Sequence, residues 1–407
     1  MKMQRIRLIW RFVRDHAKLN AYWMTIPLKV WRFRKKKCIR VLFMVSEVAT
    51  WKSELLYLKM CKHTRFDPII GISTSRVPDG VKKPLADYLQ SKKYPFVDLD
   101  TSNDSIKNLR PDIVIYYKPY PECYSEGHFF NKNLRYVFIG MNYCFSIENI
   151  AIHIEKPQFD YCWQYYVEHT DVADRRREVL GYRARNTKVT GVPMQDILLQ
   201  PKECFGDPWK DKTGRKRIIY APHHSFKGTN KTGIEFATFL EMGEPMLQFA
   251  KQYSDTVTIA FKPHPLLRMK LDEIWGKERT DKYYQEWAKQ PNAQIETGEY
   301  VGLFKYSDAI IHDCASFLIE YLYMNKPALY LVSESNDIDE LLGFAREGFM
   351  CYEHAHQVND IETFIQNVIA GVDHNCEKRQ SFINKQLLPP KGRTACDNIL
   401  DAILGEK

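Results

Sequence analysis

The sequence lacks several features that would assign it to a membrane-spanning, secreted or metal-binding class. No run of about 18 apolar residues occurs in its 407 residues, which argues against a transmembrane helix. The N-terminus has no clean apolar core followed by a small-residue cleavage site, so no secretory signal is expected. The ten cysteines form no CxxC pair and no metal-like Cys/His spacing. We therefore predict free thiols in a reducing cytoplasm and no metal site.

The positive charge is concentrated at one end of the chain. Residues 1–40 contain 13 Lys and Arg against the single Asp15, whereas the rest of the chain has 46 basic and 49 acidic residues. Aromatic and aliphatic residues alternate with these charges in a helical pattern, which favours the headgroup zone of an anionic membrane. Nucleic-acid binding would suit the same composition, but no nucleic-acid fold signature follows. A solvated basic tail is the remaining alternative.

From residue 39 onward, apolar runs alternate with helical stretches. This βαβ rhythm predicts an α/β protein with mostly parallel sheets and helices on both faces. A break at Gly191 and Pro193 separates two such series, so two Rossmann-like, doubly wound domains facing a cleft are expected. The predicted domains are 1–38 (basic amphipathic segment), 39–190 and 191–407. The predicted strands are 39–47, 66–74, 111–119, 134–142, 216–224, 257–265, 293–298, 308–313 and 327–333.

Three polar loops follow apolar strands directly, all in the second half of the chain. Ligands of such sheets bind at the carboxyl ends of the strands, and histidines there can donate to phosphate or act as acid or base. Ser316 and the N–H groups at the following helix start would bind an anion, and Glu320 one turn later could accept hydrogen bonds from a ribose. The three loops are Ala221-Pro222-His223-His224-Ser225, Lys262-Pro263-His264-Pro265 and His312-Asp313-Cys314-Ala315-Ser316.

Each of these loops also has a purely structural interpretation. Asp313 and Ser316 are typical helix-start residues, and Pro-His-Pro is typical of a rigid turn with an exposed imidazole. Three polar loops at three strand ends of one domain nevertheless favour a binding site. The sequence does not choose between His223 and His224.

These segments together resemble a known family. The chain is similar to the CDP-glycerol glycerophosphotransferases, the polyol-phosphate transferases of teichoic acid and related capsule synthesis. The resemblance covers most of the chain beyond residue 40 and is clearest from 189 to 404. It is carried by the segments GVPMQD, YAPHHSF, FKPHPLL, YVGLFKYSDAIIHDCAS, LIEYLYMNKPALYL and KGRTACDNILDAIL.

The resemblance implies a GT-B fold, a CDP-polyol donor, no required cofactor, and peripheral attachment to the cytoplasmic face of a bacterial cell membrane. The first domain would be the acceptor side and the second the donor side. An acceptor hydroxyl on a polymer or lipid-linked glycan would attack the β-phosphorus and expel CMP. His264 and Ser316 would bind the pyrophosphate, and His223 or His224 would be the base or a second phosphate ligand. Lys262, Ser225, Asp313, Glu320 and Asn142 complete the candidate substrate-binding set.

Two departures from the family pattern bear on the chemistry. The family's Trp-His-Gly motif, whose His is thought to activate the acceptor, is matched here by a strand end without His, residues 138–143, which includes Asn142. The phosphate loop has one hydroxyl, Ser316, where two adjacent ones are usual. The alternatives are therefore a GT-B glycosyltransferase that uses a nucleotide sugar and an inactive membrane-attached scaffold. The sequence leaves the polyol, the acceptor and any homo-oligomer open.

Overall fold

The computed structural model describes residues 2–74, 82–101, 106–118, 123–149, 157–226, 235–333 and 338–406; the side chains of residues 2–13, 157 and 158 are not described. The chain divides into two compact units. The first comprises residues 1–146, 150–196 and 389–407, and the second comprises residues 147–149 and 197–388. The change of unit after Asp196 lies six residues beyond the predicted boundary, and the last 19 residues pack in the first unit rather than the second.

The first unit is built on a seven-stranded parallel sheet with the strand order β3-β2-β1-β4-β5-β6-β7. The order reverses between β1 and β4, where Val41 is paired with Ile113. Its strands are β1 (Ile39–Val45), β2 (Phe66–Ile72), β3 (Phe96–Asp98), β4 (Ile113–Tyr116), β5 (Val137–Met141), β6 (Cys162–Val167) and β7 (Thr187–Val189). Its helices in chain order are α1 (Lys2–Lys35), α2 (Glu54–Lys62), α3 (Lys82–Ser91), α4 (Ile106–Leu109), α5 (Thr170–Leu180) and α6 (Pro193–Leu199), which ends in the second unit.

The second unit contains a six-stranded parallel sheet with the order β10-β9-β8-β11-β12-β13. Here the order reverses between β8 and β11, where Ile218 is paired with Ala309. Its strands are β8 (Lys216–Ala221), β9 (Val257–Phe261), β10 (Ala293–Ile295), β11 (Ala309–His312), β12 (Ala328–Leu331) and β13 (Glu353–Ala355). Its helices are α7 (Phe239–Gln252), α8 (Leu267–Trp275), α9 (Lys277–Lys289), α10 (Val301–Tyr306), α11 (Phe317–Glu320), α12 (Gly343–Phe349), α13 (Val358–Ala370) and α14 (Cys376–Phe382).

The central strands of both sheets are buried along almost their whole length, as expected for parallel sheets covered by helices on both faces. Helices α8 and α9 are separated by Gly276, whose φ of +81° breaks the helical backbone between them. The apolar residues of α7 and α9 form the core of the second unit together with β8 and β9.

Helix α1 is partly integrated into the first unit. Tyr22, Ile26, Val30 and Phe33 recur on one face and are buried, and the Tyr22 ring stacks on a ring of β5. The residues on the other face are exposed: Met24 by 83%, Leu28 by 50% and Trp31 by 59%. The helices in the described ranges include none whose length and apolar character would let it cross a bilayer.

The last helix, α15 (Ala395–Leu404), is held at both ends within the first unit. The Asp196 carboxylate accepts the backbone N–H groups of Ala395 and Cys396, and Arg34 donates to the carbonyls of residues 402 and 403. A carboxylate at the start of a helix accepts backbone N–H groups that have no partner within the helix. A guanidinium at its end donates to carbonyl groups that likewise have none. The Asp of the GVPMQD segment thus anchors the KGRTACDN segment.

Candidate active site

Three loops of the second unit meet at the point where its strand order reverses. They follow β8, β9 and β11, whose carboxyl ends lie side by side because all three strands are parallel. Ligands of open α/β sheets bind at such a reversal. The sequence prediction named these same loops, and the structure brings them together.

The Asp313 side chain links the loop after β11 to the loop after β8. Its side chain is buried; one carboxylate oxygen accepts the N–H of His223 at 2.6 Å, and the other accepts the N–H and the hydroxyl of Thr238 at 2.7 and 2.9 Å. Burial raises the pKa of Asp313 to about 6, although the hydrogen bonds from Thr238 and His223 act in the opposite direction. Through these three hydrogen bonds Asp313 holds the loop that carries His223 and the start of α7 in place.

Three imidazole rings converge above this carboxylate. The His224 and His264 rings stack with centroids 4.0 Å apart, and the His223 centroid lies 4.4 and 5.0 Å from those of His224 and His264. Ring nitrogens of the three lie within 4.8 Å of one another, and across the described ranges they form the one group of His, Cys, Asp and Glu side chains with metal-like spacing. The cluster suits a shared anion such as a pyrophosphate, and its donor set would also suit a transition-metal ion.

Backbone hydrogen bonds assign the proton on two of these rings. Nδ1 of His223 accepts the N–H of Ser225, and Nδ1 of His264 accepts the N–H of Leu266, at 3.3 and 3.1 Å. A neutral imidazole with Nδ1 acting as acceptor carries its hydrogen on Nε2. Both rings therefore offer an N–H donor at Nε2. Over the described part of the chain, the buried Nδ1 of His224 has no hydrogen-bond partner, so its tautomer is not set in this way.

The three histidines are neutral at pH 7. Burial lowers the pKa of His264 to about 3, with smaller contributions from His224 and Lys262. Burial likewise holds the pKa of His223 well below its usual value and lowers that of His224. A bound polyanion would act against this shift, because an opposite charge favours the protonated ring.

The polar residues around the cluster divide into two groups. Ser225 is buried, accepts the N–H of Phe236 at 3.0 Å and has its oxygen 2.7 Å from Nδ1 of His223, so it supports the loop. Ser316 is half-buried, with its hydroxyl 3.1 Å from the Cys314 sulfur. The helix after Ser316 has one α-helical turn and then tightens into a 3₁₀ turn, Tyr321–Met324, so its dipole is weaker than a long helix would supply.

Glu320 belongs to a second small cluster with Lys262. Its carboxylate is 1% exposed and accepts the Tyr300 hydroxyl at 2.5 Å. The Lys262 ammonium donates to the Gly298 carbonyl and lies 5.8 Å from the centre of the Tyr300 ring. The sequence prediction missed Tyr300, whose position just after β10 in the segment GEYVGLF was the available signal.

A cavity of about 490 Å³ lies beside His264 in the second unit, a size within the range of small-molecule sites. Arg268 lines it and is held by Asp281 at 2.6 Å and by the Tyr284 ring at 4.7 Å. It is also lined by Pro263, Pro265, Ile295 and Thr297.

Asn142, the remaining candidate, lies at the end of β5 in the first unit. Its amide oxygen accepts the Tyr165 hydroxyl and its amide nitrogen donates to the Ser146 hydroxyl, both at 2.5 Å. Both of its polar groups are thus engaged within the unit.

Comparisons with known proteins agree with this architecture. The structure is similar to the wall teichoic acid polymerase TagF at 13% identity and a TM-score of 0.59, covering 96% of this chain and 97% of TagF. It is also similar to MnaA of S. aureus in a structure with UDP, at 14% identity and a TM-score of 0.55, covering 90% of this chain and 96% of MnaA. A UDP-GlcNAc 2-epimerase from Neisseria meningitidis matches with 14% identity, a TM-score of 0.54, and coverage of 90% and 100%.

At these identities the likeness establishes the fold, so the predicted GT-B type architecture is confirmed. No curated protein sequence matches the chain. A family model for CDP-Glycerol:Poly(glycerophosphate) glycerophosphotransferase matches residues 160–404, which is more than half of the chain. The family and the enzyme class expected from the sequence are therefore confirmed: the chain belongs to the CDP-glycerol:poly(glycerophosphate) glycerophosphotransferases.

Proposed function

We propose that the enzyme transfers glycerol phosphate from CDP-glycerol to a hydroxyl of a cell-surface polymer or lipid-linked glycan and releases CMP. The observation that carries this proposal is the pair of Nε2–H donors on His223 and His264 at the strand-order reversal of the second unit. A structure of a TagF variant soaked with CDPG supports the choice of donor.

The proposed mechanism places the pyrophosphate against the histidine cluster. The oxygen of the acceptor hydroxyl bonds to the phosphorus that bears the glycerol and loses its proton to solvent, and the bond from this phosphorus to the bridging oxygen breaks. The electron pair of that bond leaves with CMP. His264 and His223 donate from Nε2 to the phosphate oxygens on which charge develops, and this electrostatic stabilisation is the largest catalytic contribution expected of them. Ser316 provides one hydroxyl donor beside them.

Glu320 and Lys262 are proposed to bind the nucleoside side of the donor. The buried Glu320 carboxylate already accepts the Tyr300 hydroxyl, so its orientation is set before a ribose hydroxyl arrives. No cofactor or metal ion is needed in this scheme, because the phosphate oxygens are bound by the N–H donors of His223 and His264 and by the Ser316 hydroxyl.

The test is release of CMP from CDP-glycerol, CDP-ribitol and UDP-sugars, measured side by side with a membrane fraction as acceptor. CMP release from CDP-glycerol should fall by about 10²–10³-fold in His264→Ala, the loss typical of a donor to a developing oxyanion. The exposed His356 offers the matched control, because His356→Ala removes an imidazole from the same unit outside the cluster. Turnover with a UDP-sugar alone would overturn the assignment in favour of a glycosyltransferase, and near-normal turnover of His264→Ala would refute the role of His264.

We further propose that α1 attaches the enzyme to the cytoplasmic face of an anionic membrane. Met24, Leu28 and Trp31 form an exposed apolar stripe, and Arg32 and Lys35 beside it are exposed too. Apolar area and basic charge on one helix are the two components of interfacial binding. Replacing the three apolar residues by Ser should abolish co-sedimentation with vesicles containing phosphatidylglycerol. Unchanged sedimentation would refute attachment through this stripe.

A further inference from the structure

The cavity beside His264 in the second unit has a lining that the proposed mechanism does not use. His264 forms part of its wall, so the cavity of about 490 Å³ borders the proposed pyrophosphate site. Arg268, Asp281 and Gln285 supply polar groups to the wall. Its apolar side chains are those of Pro263, Pro265, Ala288 and Ile295. A ligand whose phosphates are bound by His264 therefore has room for a further group in this cavity.

The cavity also borders the cluster proposed to bind the ribose. Pro263 and Thr297 line it, and they are the chain neighbours of Lys262 and Gly298. The Lys262 ammonium donates to the Gly298 carbonyl at 3.0 Å, which ties these two loops together beside the cavity. The base and the glycerol are the parts of the donor that have no site yet. An apolar wall with a few polar groups suits a flat base better than glycerol, whose carbons all bear oxygen.

The charged groups of the cavity are held in a fixed arrangement. Nη2 of Arg268 donates to Oδ1 of Asp281 at 2.6 Å, and the guanidinium lies 4.7 Å from the centre of the Tyr284 ring. Arg268 belongs to α8, whereas Asp281 and Tyr284 belong to α9, so these contacts also join the two helices. The Arg268 and Asp281 side chains keep 52% and 34% of their surface exposed. Both are therefore accessible to a ligand in the cavity.

The pair of Arg268 and Asp281 offers hydrogen-bonding groups that are complementary to cytosine. A carboxylate only accepts hydrogen bonds, and a guanidinium only donates them, from several N–H groups in one plane. Side by side they present one acceptor followed by two donors. The pairing edge of cytosine has one donor, the N4 amino group, followed by the two acceptors N3 and O2. Uracil would instead turn O4 towards the carboxylate and N3–H towards the guanidinium, which makes two mismatches.

We propose that this cavity binds the base of the donor and that Arg268 and Asp281 select cytosine over uracil. The inference rests on the proposed function and deepens it, because it names the residues that determine which nucleotide is accepted. Asp281 accepts from the N4 amino group, and Arg268 donates to N3 and O2. Selectivity arises from the repulsion of uracil as well as from the attraction of cytosine. Since neither side chain contacts the reacting phosphorus in this scheme, both act on donor binding.

The first experiment measures binding of CMP and UMP to the full chain by calorimetry, without acceptor. The wild type should bind CMP at least about tenfold more tightly than UMP, and Arg268→Ala should lose about 10–100-fold in CMP affinity, as for a hydrogen bond to a charged group. Asp281→Asn keeps the shape of the side chain and can donate an amide N–H to O4, so it should lose most of the preference for CMP. Glu286→Gln is the matched control, because it makes the same change on α9 outside the cavity, at a residue paired with Lys251.

The second experiment compares turnover of CDP-glycerol and UDP-glycerol. Asp281→Asn should lower the ratio of the two kcat/KM values through the KM for CDP-glycerol, with kcat nearly unchanged. If its melting temperature shows that Asp281→Asn does not fold, Arg268→Ala gives the same test, since its preference for the cytidine donor should also fall.

Three results would overturn the inference: equal binding of CMP and UMP by the wild type, binding of neither nucleotide, or an unchanged preference in folded Asp281→Asn and Arg268→Ala. A wild type that binds CMP selectively but releases none from CDP-glycerol would refute the proposed function and support the base site. The two failures are therefore distinguishable.

Discussion

The two units share a parallel sheet whose order reverses at the centre, but they hold their histidines in different ways. In the second unit, Nδ1 of His223 and His264 accepts a backbone N–H two residues further on. In the first unit, Nδ1 of His128 faces a hydroxyl chain that ends on Asp100. A neutral ring whose Nδ1 accepts carries its hydrogen on Nε2, whereas the contact between Nδ1 of His128 and the Ser73 hydroxyl allows either ring nitrogen to carry it. The partner of Nδ1 therefore decides whether Nε2 is fixed as a donor.

The largest effect that tests this contrast is a comparison of Gln with Ala at His264 and at His128. Glutamine can present an amide N–H near the position of Nε2 but cannot take up a proton. At His264, Gln should recover at least about tenfold of the 10²–10³-fold loss expected for Ala. At His128, which the proposed mechanism does not use, Gln and Ala should both change the rate much less than Ala does at His264. Initial rates of CMP release from the four variants are the measurement, and an equal response at both positions would break the comparison.

A smaller effect is expected when the Asp313 carboxylate, which holds the His223 loop of the second unit, is removed. Asp313→Ala leaves the N–H groups of His223 and Thr238 without their acceptor, at a cost of about 1–3 kcal/mol each when buried. The melting temperature should fall, and the KM for CDP-glycerol should rise because the histidine loop loses its support. Asp100→Asn in the first unit weakens the acceptor of the Thr74 N–H and the Ser125 hydroxyl, so it should lower the melting temperature and leave the KM for CDP-glycerol unchanged. Thermal unfolding and steady-state kinetics of both variants decide whether the two carboxylates differ in this way.

The pH dependence of stability should also distinguish Asp313. Its pKa is raised from 3.8 to about 6, so the folded state favours the protonated form. The stabilisation that protonated Asp313 contributes to the free energy of unfolding is fully present below about pH 4 and is lost as the pH rises through 6. The melting temperature of Asp313→Asn should therefore rise relative to that of the wild type as the pH increases from 4 to 7. A constant difference across this range would contradict the raised pKa.

The smallest effect is predicted for Ser125→Ala. This variant removes the hydroxyl that donates to Asp100, but Asp100 keeps the N–H of Thr74 as a donor. We expect the free energy of unfolding to fall by about 1 kcal/mol, as for one hydrogen bond, and kcat to be unchanged. Ser225→Ala in the second unit makes a matched comparison, since it should affect the KM for the donor rather than kcat.

The sequence predicts the central strands of both sheets, because each contains a buried apolar run, and it misses three strands of the first sheet and one of the second. The runs at 216–221, 257–261 and 309–312 are all strands. The prediction omitted β3, β6, β7 and β13. Three of these have only three residues, and β6 contains Gln164 among its aromatic residues, so none gives a long apolar pattern.

The candidate site, too, could be predicted from the sequence only in part. His223, His224 and His264 lie in two short motifs, and their clustering follows from the parallel order of β8 and β9. The role of Asp313 as a clamp could not be predicted, because its partner Thr238 lies 75 residues away. The network of Ser73, Asp100 and His128 has no motif at all. Its members come from three separate connections and meet only through the packing of β2, β3 and the segment after β4.

The anchoring of the last helix has a consequence for how the protein forms during synthesis. The second unit is continuous except for residues 147–149, whereas the first needs residues 389–407 to complete it. Asp196 and Arg34 gain their partners in α15 only after the second unit has been translated. On the ribosome, the second unit can therefore mature before the first is closed. A chain cut before residue 389 should leave a folded second unit attached to an incomplete first unit that is prone to aggregate.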